Sequence, residues 1–153
     1  MNLEALHELV ARARAAGVDV SIVEGKGDAP VRELEDQLGV RCPESLKRFY
    51  AAYEYLQVGT HEFVWLKDMT VTVGGLRARH PDLPKHYLPV LADGFGGWYY
   101  VVCVEQNQAP FHGFGTVVYN PAGTAGVFET VSPDVLHFVS DKVVAAIDES
   151  VGG

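Results

Sequence analysis

The chain has 153 residues, 48% of them hydrophobic and 21% charged, with a formal net charge of −8. This is the size of one domain, and the apolar content is enough for one buried core, which excludes a disordered chain. No apolar run approaches the ~20 residues that span a bilayer. The opening MNLEALHELV carries acids where a signal peptide needs a basic region, so the expectation is a cytoplasmic protein without a membrane partner.

Leu3, Leu6, Leu9, Val10 and Ala13 recur at helical spacing and predict a first helix from Leu3 to Ala16, closed by Gly17. Val18, Val20 and Ile22 alternate through Glu24 as a short edge strand. Gly25 to Asp28 is a turn, and Pro30 opens a second helix that ends at Leu38-Gly39. Cys42 must be extended because Pro43 follows it, and a third helix is expected from Pro43 to about Tyr55. Glu62 to Leu66 and Met69 to Val73 read as two strands or one interrupted strand, anchored by Trp65. Gly74 to Lys85 reads as a polar loop with a helical turn.

A hairpin organises the remainder. Tyr87 to Ala92 is its first arm, with Leu88, Val90 and Ala92 on one side and Tyr87, Pro89 and Leu91 on the other. Asp93-Gly94-Phe95-Gly96-Gly97 is the turn, where glycines supply positive φ. Trp98 to Glu105 is the second arm. Both its faces are apolar or aromatic, which marks a central strand covered on both sides, with Trp98 as a core anchor. Gln106 to Gly115 is a loop, Thr116 to Tyr119 a strand and Ala125 to Thr130 its return. Ser132 caps a closing helix with Pro133 in its first turn, and that helix runs to about Glu149. The expected fold is α+β: N-terminal helices packed on a meandering, mostly antiparallel sheet, with a closing C-terminal helix, in a single domain over 1–153.

Charge is unevenly placed. From His86 to Asp141 there is no Lys or Arg, while Asp93, Glu105, Glu129, Asp134 and Asp141 all fall in that span. Nucleic-acid binding needs clustered positive charge and is excluded as an expectation. An acidic face suits a basic partner, although such a span is more often a solvated surface than a docking site. The six histidines make no H-x-x-x-H pair and none lies at metal-ligand spacing from a cysteine, so no metal and no cofactor are expected. Cys42 and Cys103 read as reduced core thiols. Gly94 to Gly97 lacks the Lys-Ser/Thr of a phosphate loop, no G-x-S-x-G elbow occurs, and no catalytic residue is assigned. Phe111 and Phe114 form an aromatic loop that serves either as a lid or as a core plug.

Three segments carry a family resemblance through their order and spacing. They are VRELEDQLGVRCPESLKRFYAAY, then YLPVLADGFGGWYYVVCVE, then GTVVYN with a following strand and a capped helix. Together, from Val31 to Ile147, they resemble the SUKH superfamily of Smi/Knr-like domains. That resemblance implies a non-enzymatic α+β binding domain, in bacteria mostly an immunity protein that neutralises a toxin such as a nuclease or deaminase. It implies structural roles for Gly96, Gly97 and Trp98. The expected partner is a cognate toxin with a basic surface, and the expected contact residues are Asp93, Glu105, Phe111, Phe114, Glu129 and Asp134. The alternatives are a regulatory or scaffold domain with several cellular partners, and a hydrolase using strand-end carboxylates.

Overall fold

The structure, a computed structural model, describes residues 2–103, 113–124 and 126–152. It has the α+β architecture, with helices packed on antiparallel sheet and a closing C-terminal helix. Helix α1 spans Leu3–Ala15, with the Asn2 side chain accepting from the Ala5 N–H at 2.8 Å. Strand β1 (Val20–Glu24) leads to α2 (Ala29–Leu38), and α2 stops at Gly39, whose φ of 64° only glycine adopts cheaply. Helix α3 spans Glu44–Ala52.

The strands form two sheets rather than one. Strands β1, β2 (Tyr53–Val58) and β3 (His61–Glu62) make a three-stranded sheet. Strands β4 (Tyr87–Ala92), β5 (Trp98–Val102), β6 (Val117–Asn120) and β7 (Glu129–Ser132) make a four-stranded meander in sequence order. Among the described residues one bridge, Phe63 opposite Leu91, joins them, supported by the Val64 N–H donating to the Val90 carbonyl at 2.9 Å. Helix α5, Val135–Gly152, packs on α1 and α3 and closes the main core.

Strand β5 is buried on both faces, and its two faces meet different cores. Val101 enters the large core with Leu88, Val117, Phe138 and Val143, and Cys103, one residue past the strand end, lies in the same core. Tyr100 and Val102 enter a smaller one with Leu76, Leu83, Tyr87 and Val118. Trp98 is only half-buried at the edge of the smaller core, so it is not the fully enclosed anchor expected of it. In β4 a register shift between Pro89 and Leu91 breaks the simple alternation, and Leu91 joins Leu88 and Val90 in the large core.

Five expected elements differ in the structure. The strand expected over Glu62 to Leu66 keeps only His61–Glu62 and a bridge at Phe63, and Leu66 opens a 3-10 turn. Helix α3 ends at Ala52 rather than near Tyr55, because Tyr53 to Val58 pairs with β1 and buries Tyr53, Leu56 and Val58. The expected strand at Met69 to Val73 and the loop after it form α4, Met69–Arg79, entered through a 3-10 turn at Leu66–Asp68. The β-branched residues there suggest a strand, but Met69, Val73 and Leu76 recur at helical spacing and are the buried ones. The expected return strand at Ala125 to Thr130 begins only at Glu129. The Asn120 side chain holds the preceding loop by donating to the carbonyls of Thr124 and Val127, each at 2.7 Å. Ser132 does not cap α5. It remains in β7 opposite Val117, and Asp134 caps instead, accepting from the His137 N–H at 2.8 Å.

Gly74 and Gly75 lie on the exposed side of α4, and an added Cβ meets nothing within 4 Å at either position. Gly74→Ala and Gly75→Ala should therefore each raise stability by about 0.5–1 kcal/mol in urea unfolding, by the helix preference of alanine over glycine. Unchanged or lowered stability in both variants would contradict a helix at this position.

Candidate functional site

The β4–β5 hairpin ends in a turn organised by one carboxylate. Asp93 Oδ1 accepts from the backbone N–H of Phe95 at 2.7 Å and of Gly97 at 2.9 Å. Its Oδ2 accepts from the Tyr119 hydroxyl at 2.5 Å, and the Asp93 N–H donates to the Gly97 carbonyl at 3.0 Å. Gly94 and Gly96 take φ of 85° and 94°, in the left-handed region. Gly97 does not, but a Cβ there would collide with the Asp93 carboxylate and lie 2.9 Å from the Asn120 carbonyl oxygen. The structural role expected of Gly96 and Gly97 thus has two separate causes, backbone conformation at the first and close approach at the second.

Burial at the turn pushes the Asp93 carboxyl pKa up. The hydrogen bonds from Tyr119, Phe95 and Gly97 outweigh that and hold it below its ordinary 3.8. The same bond to Asp93, followed by burial, pushes the Tyr119 hydroxyl up to about 12. Fixed in this way, the turn displays Phe95 to solvent with 87% of its surface exposed.

Beside the tip lies a half-open groove of about 680 Å³ at the seam between the two sheets. One wall is the Thr60–Trp65 segment with Asp68 and Thr72; the other is Leu91 to Phe95 with Trp98 and Tyr99, and Lys142 of α5 reaches in. Aromatic rings continue from the core into this groove. Tyr99 stacks on Tyr119 with centroids 4.6 Å apart and meets Phe138 at 4.9 Å. Lys142 Nζ sits 4.7 Å from the Tyr99 ring centroid. Across the groove, Trp65 packs on Tyr55 at 4.7 Å and carries Lys67 Nζ over its ring at 3.7 Å. The Trp65 indole N–H and His61 Nε2 are buried with no hydrogen-bond partner among the described residues. Burial first, and then the Lys142 charge, lower the His61 pKa, so its ring is neutral at pH 7; Glu149 opposes this weakly. Among the described lining residues Glu62, Asp68 and Asp93 outnumber Lys142, with Lys67 beside the Trp65 ring.

The structure divides the expected contact residues. Asp93 is at the groove. Glu129 lies at the same end of the sheet, because it pairs with Tyr119, whose hydroxyl holds Asp93. Phe114, 36% exposed, precedes β6, and Asp134 follows β7, so both fall at the opposite end. Asp134 is occupied as a helix cap, with its Oδ2 also 2.8 Å from His137 Nδ1. Glu105 and Phe111 lie outside the described residues. Sequence reading missed Phe95, His61, Glu62, Asp68 and Lys142. Phe95 had a signal, since an aromatic inside a glycine turn has no neighbouring chain to bury it. Lys142 had none, because its place depends on how α5 crosses the sheet.

Among the described residues no three of His, Cys, Asp and Glu gather closely enough to hold a metal ion, and no helix is long and apolar enough to cross a membrane. No protein-family model and no curated protein matches the chain.

Because the folded-state pKa of Asp93 is depressed, its carboxylate stabilises the fold above pH 3.8, and that contribution is lost as pH falls through the lower folded value. Asp93→Ala should therefore melt at a lower temperature than wild type at pH 7, with the gap closing as pH drops below 3.8. Melting curves across that range check this, and a gap independent of pH would show that the carboxylate charge does not hold the turn.

Proposed function

We propose that this chain is a cytoplasmic immunity protein that neutralises a cognate bacterial toxin by direct contact, and that the hairpin tip and its groove form the contact face. The observation that carries this is Phe95, a large apolar side chain displayed on a turn that Asp93 makes rigid. An exposed aromatic on a preorganised support is the usual form of an interface anchor, because little conformational freedom is lost when it docks. Trp98 and Trp65 extend the apolar surface, and Glu62, Asp68 and Asp93 favour a basic partner. The resemblance to Smi/Knr-like domains supports the same reading.

The scaffold alternative would use this same face for several cellular partners. A toxin gene beside that of this protein would favour neutralisation over scaffolding. The hydrolase alternative is less well supported. A general acid needs a raised carboxyl pKa, whereas Asp93, which lines the groove, has a lowered one. Of the other expected contacts, Glu129 would extend this interface from the same end of the sheet, whereas Phe114 and Asp134, at the opposite end, would not.

Co-expression with a candidate toxin encoded beside this protein gives the test. Wild-type protein should restore growth. Phe95→Ala should weaken the complex by at least about 2 kcal/mol, roughly 30-fold, as hot-spot truncations do. Because Phe95 is exposed, its removal should shift folding stability by no more than about 0.5 kcal/mol. Glu4→Lys with Glu8→Lys on α1, far from the groove in sequence and exposed, should leave affinity unchanged. Full protection and wild-type affinity in Phe95→Ala, with loss in the α1 variant, would place the interface elsewhere.

A further inference from the structure

Strand β1 is the outermost strand of the three-stranded sheet, and β2 pairs with it on one side. The Gly59 N–H donates to the Asp19 carbonyl at 2.8 Å, and Val20 lies directly opposite Val58. Bonded and non-bonded pairs alternate along an antiparallel ladder, so Asp19, Ser21 and Val23 turn their peptide groups toward β2. Val20 and Ile22 turn theirs away from it. The far side of β2 fixes the same phase, because the Leu56 carbonyl accepts from the Phe63 N–H, and Leu56 is the residue opposite Ile22. Among the described residues no backbone group meets the outward N–H and C=O groups of Val20 and Ile22.

The other sheet edges are blunted. Strand β3 is two residues long, β4 is bridged to Phe63, and β7 pairs through a register shift and begins with the charged Glu129. Strand β1 runs in unbroken register from Val20 to Val23. Val20 and Ile22 are half-buried at the margin of the large core, and Val23 is half-buried on the opposite face. A further strand along this edge would therefore cover apolar surface as well as satisfy peptide groups.

We propose that β1 is a dimerisation strand, which pairs antiparallel with β1 of a second copy of this chain across a two-fold axis at Ser21. In that register Val20 faces the copy's Ile22, and each such pair exchanges both its N–H and C=O groups. Ser21 faces its own counterpart. The strand is self-complementary in this alignment, because Asp19 falls opposite Val23 and Glu24 opposite Val18, so no acid faces an acid. Centring the axis on Ile22 instead would set Glu24 against Val20, on the side of the sheet that faces the core. The two three-stranded sheets become one continuous sheet, and the margins of two cores are joined. Each chain carries a net charge of −8, so long-range repulsion opposes the pairing and added salt relieves it. Docking of a basic toxin has the opposite salt dependence. The inference does not rest on the toxin reading, and the hairpin tip belongs to the other sheet.

Sedimentation equilibrium of the full chain over a concentration series gives the test. The mass should rise toward twice that of the monomer, and at lower protein concentration in high salt. Ser21→Lys places like charges against each other at the axis and should weaken the dimer severalfold. The Ser21 side chain is exposed, so this variant should melt with the wild type at concentrations where both are monomeric. Ser21→Cys should join two chains by a disulfide under mild oxidation, because a non-bonded pair has its Cα atoms about 4.5 Å apart, within the span of a disulfide. Glu24→Cys should not, since its two copies would lie about 20 Å apart at roughly 3.3 Å per residue. The native Cys42 and Cys103 are buried and do not compete. A chain that stays monomeric at every concentration, a dimer untouched by Ser21→Lys, or cross-linking as efficient through Glu24→Cys as through Ser21→Cys would each overturn the proposal. A monomeric chain whose Ser21→Lys variant loses toxin binding would overturn it too, by assigning the edge to a strand of the toxin.

Discussion

Tyr100 and Val101 are adjacent in sequence and belong to different cores, and the whole arrangement depends on that separation. Strand β5 is paired along both edges, so its peptide groups are satisfied by β4 and β6, and its side chains must be covered from both faces. Helices α1, α3 and α5 supply one cover. The other is thinner and comes from Leu76 at the end of α4, Leu83 and Phe128. Helix α4 contributes to both, since Met69 and Val73 point into the large core while Leu76 reaches the small one. In the element read as a strand with a loop, spacings of four and three place Met69, Val73 and Leu76 along one face of a helix, and that face meets both cores.

The groove follows from the way the sheets meet. A continuous sheet would have run backbone hydrogen bonds along the whole seam, but β3 is only two residues long and Phe63 makes one bridge to Leu91. Beyond that bridge the chain turns away through Leu66–Asp68, and the space between the diverging walls is filled only by side-chain ends. Phe63 and Phe138 carry the large core up to this seam, and Tyr99 continues the aromatic contact to Tyr119 and so to Asp93. The geometry of the hairpin tip is thereby connected to the packing of α5 through a run of touching rings, and α5 also supplies Lys142.

Much of this was legible in the sequence, and the remainder was hidden for identifiable reasons. The hairpin, its glycine turn and the doubly covered arm follow from side-chain alternation and from glycine's access to positive φ. Helices α1, α2 and α5 follow from periodic leucines and valines. Misreadings gathered where local preference and tertiary pairing disagree. Tyr53 to Val58 continues the aromatic stripe of α3 but finds β1 to pair with. Ser132 is a good cap by type, yet it is retained by its ladder with Val117, and the capping role moves to Asp134. Distances between remote residues were invisible. Nothing in the spacing of Cys42 and Cys103 shows that they share one core, and nothing in Lys142 shows that it faces Tyr99.

If the tip and groove dock a basic protein, the face divides its work between two kinds of interaction. Glu62 and Asp68 are exposed, and charges of that kind act at a distance of about 8 Å at physiological salt, so they govern encounter and discourage acidic competitors. Phe95 and Trp98 act only on contact, by shedding water, and so govern how long the complex lasts. Asp93 belongs to neither group despite its charge. Its oxygens are already committed to Phe95, Gly97 and Tyr119, so a partner's cation would have to compete with bonds that shape the turn. Its contribution to binding is conformational: it keeps the phenyl ring presented, while Glu62 and Asp68 on the opposite wall are exposed to the incoming positive charge.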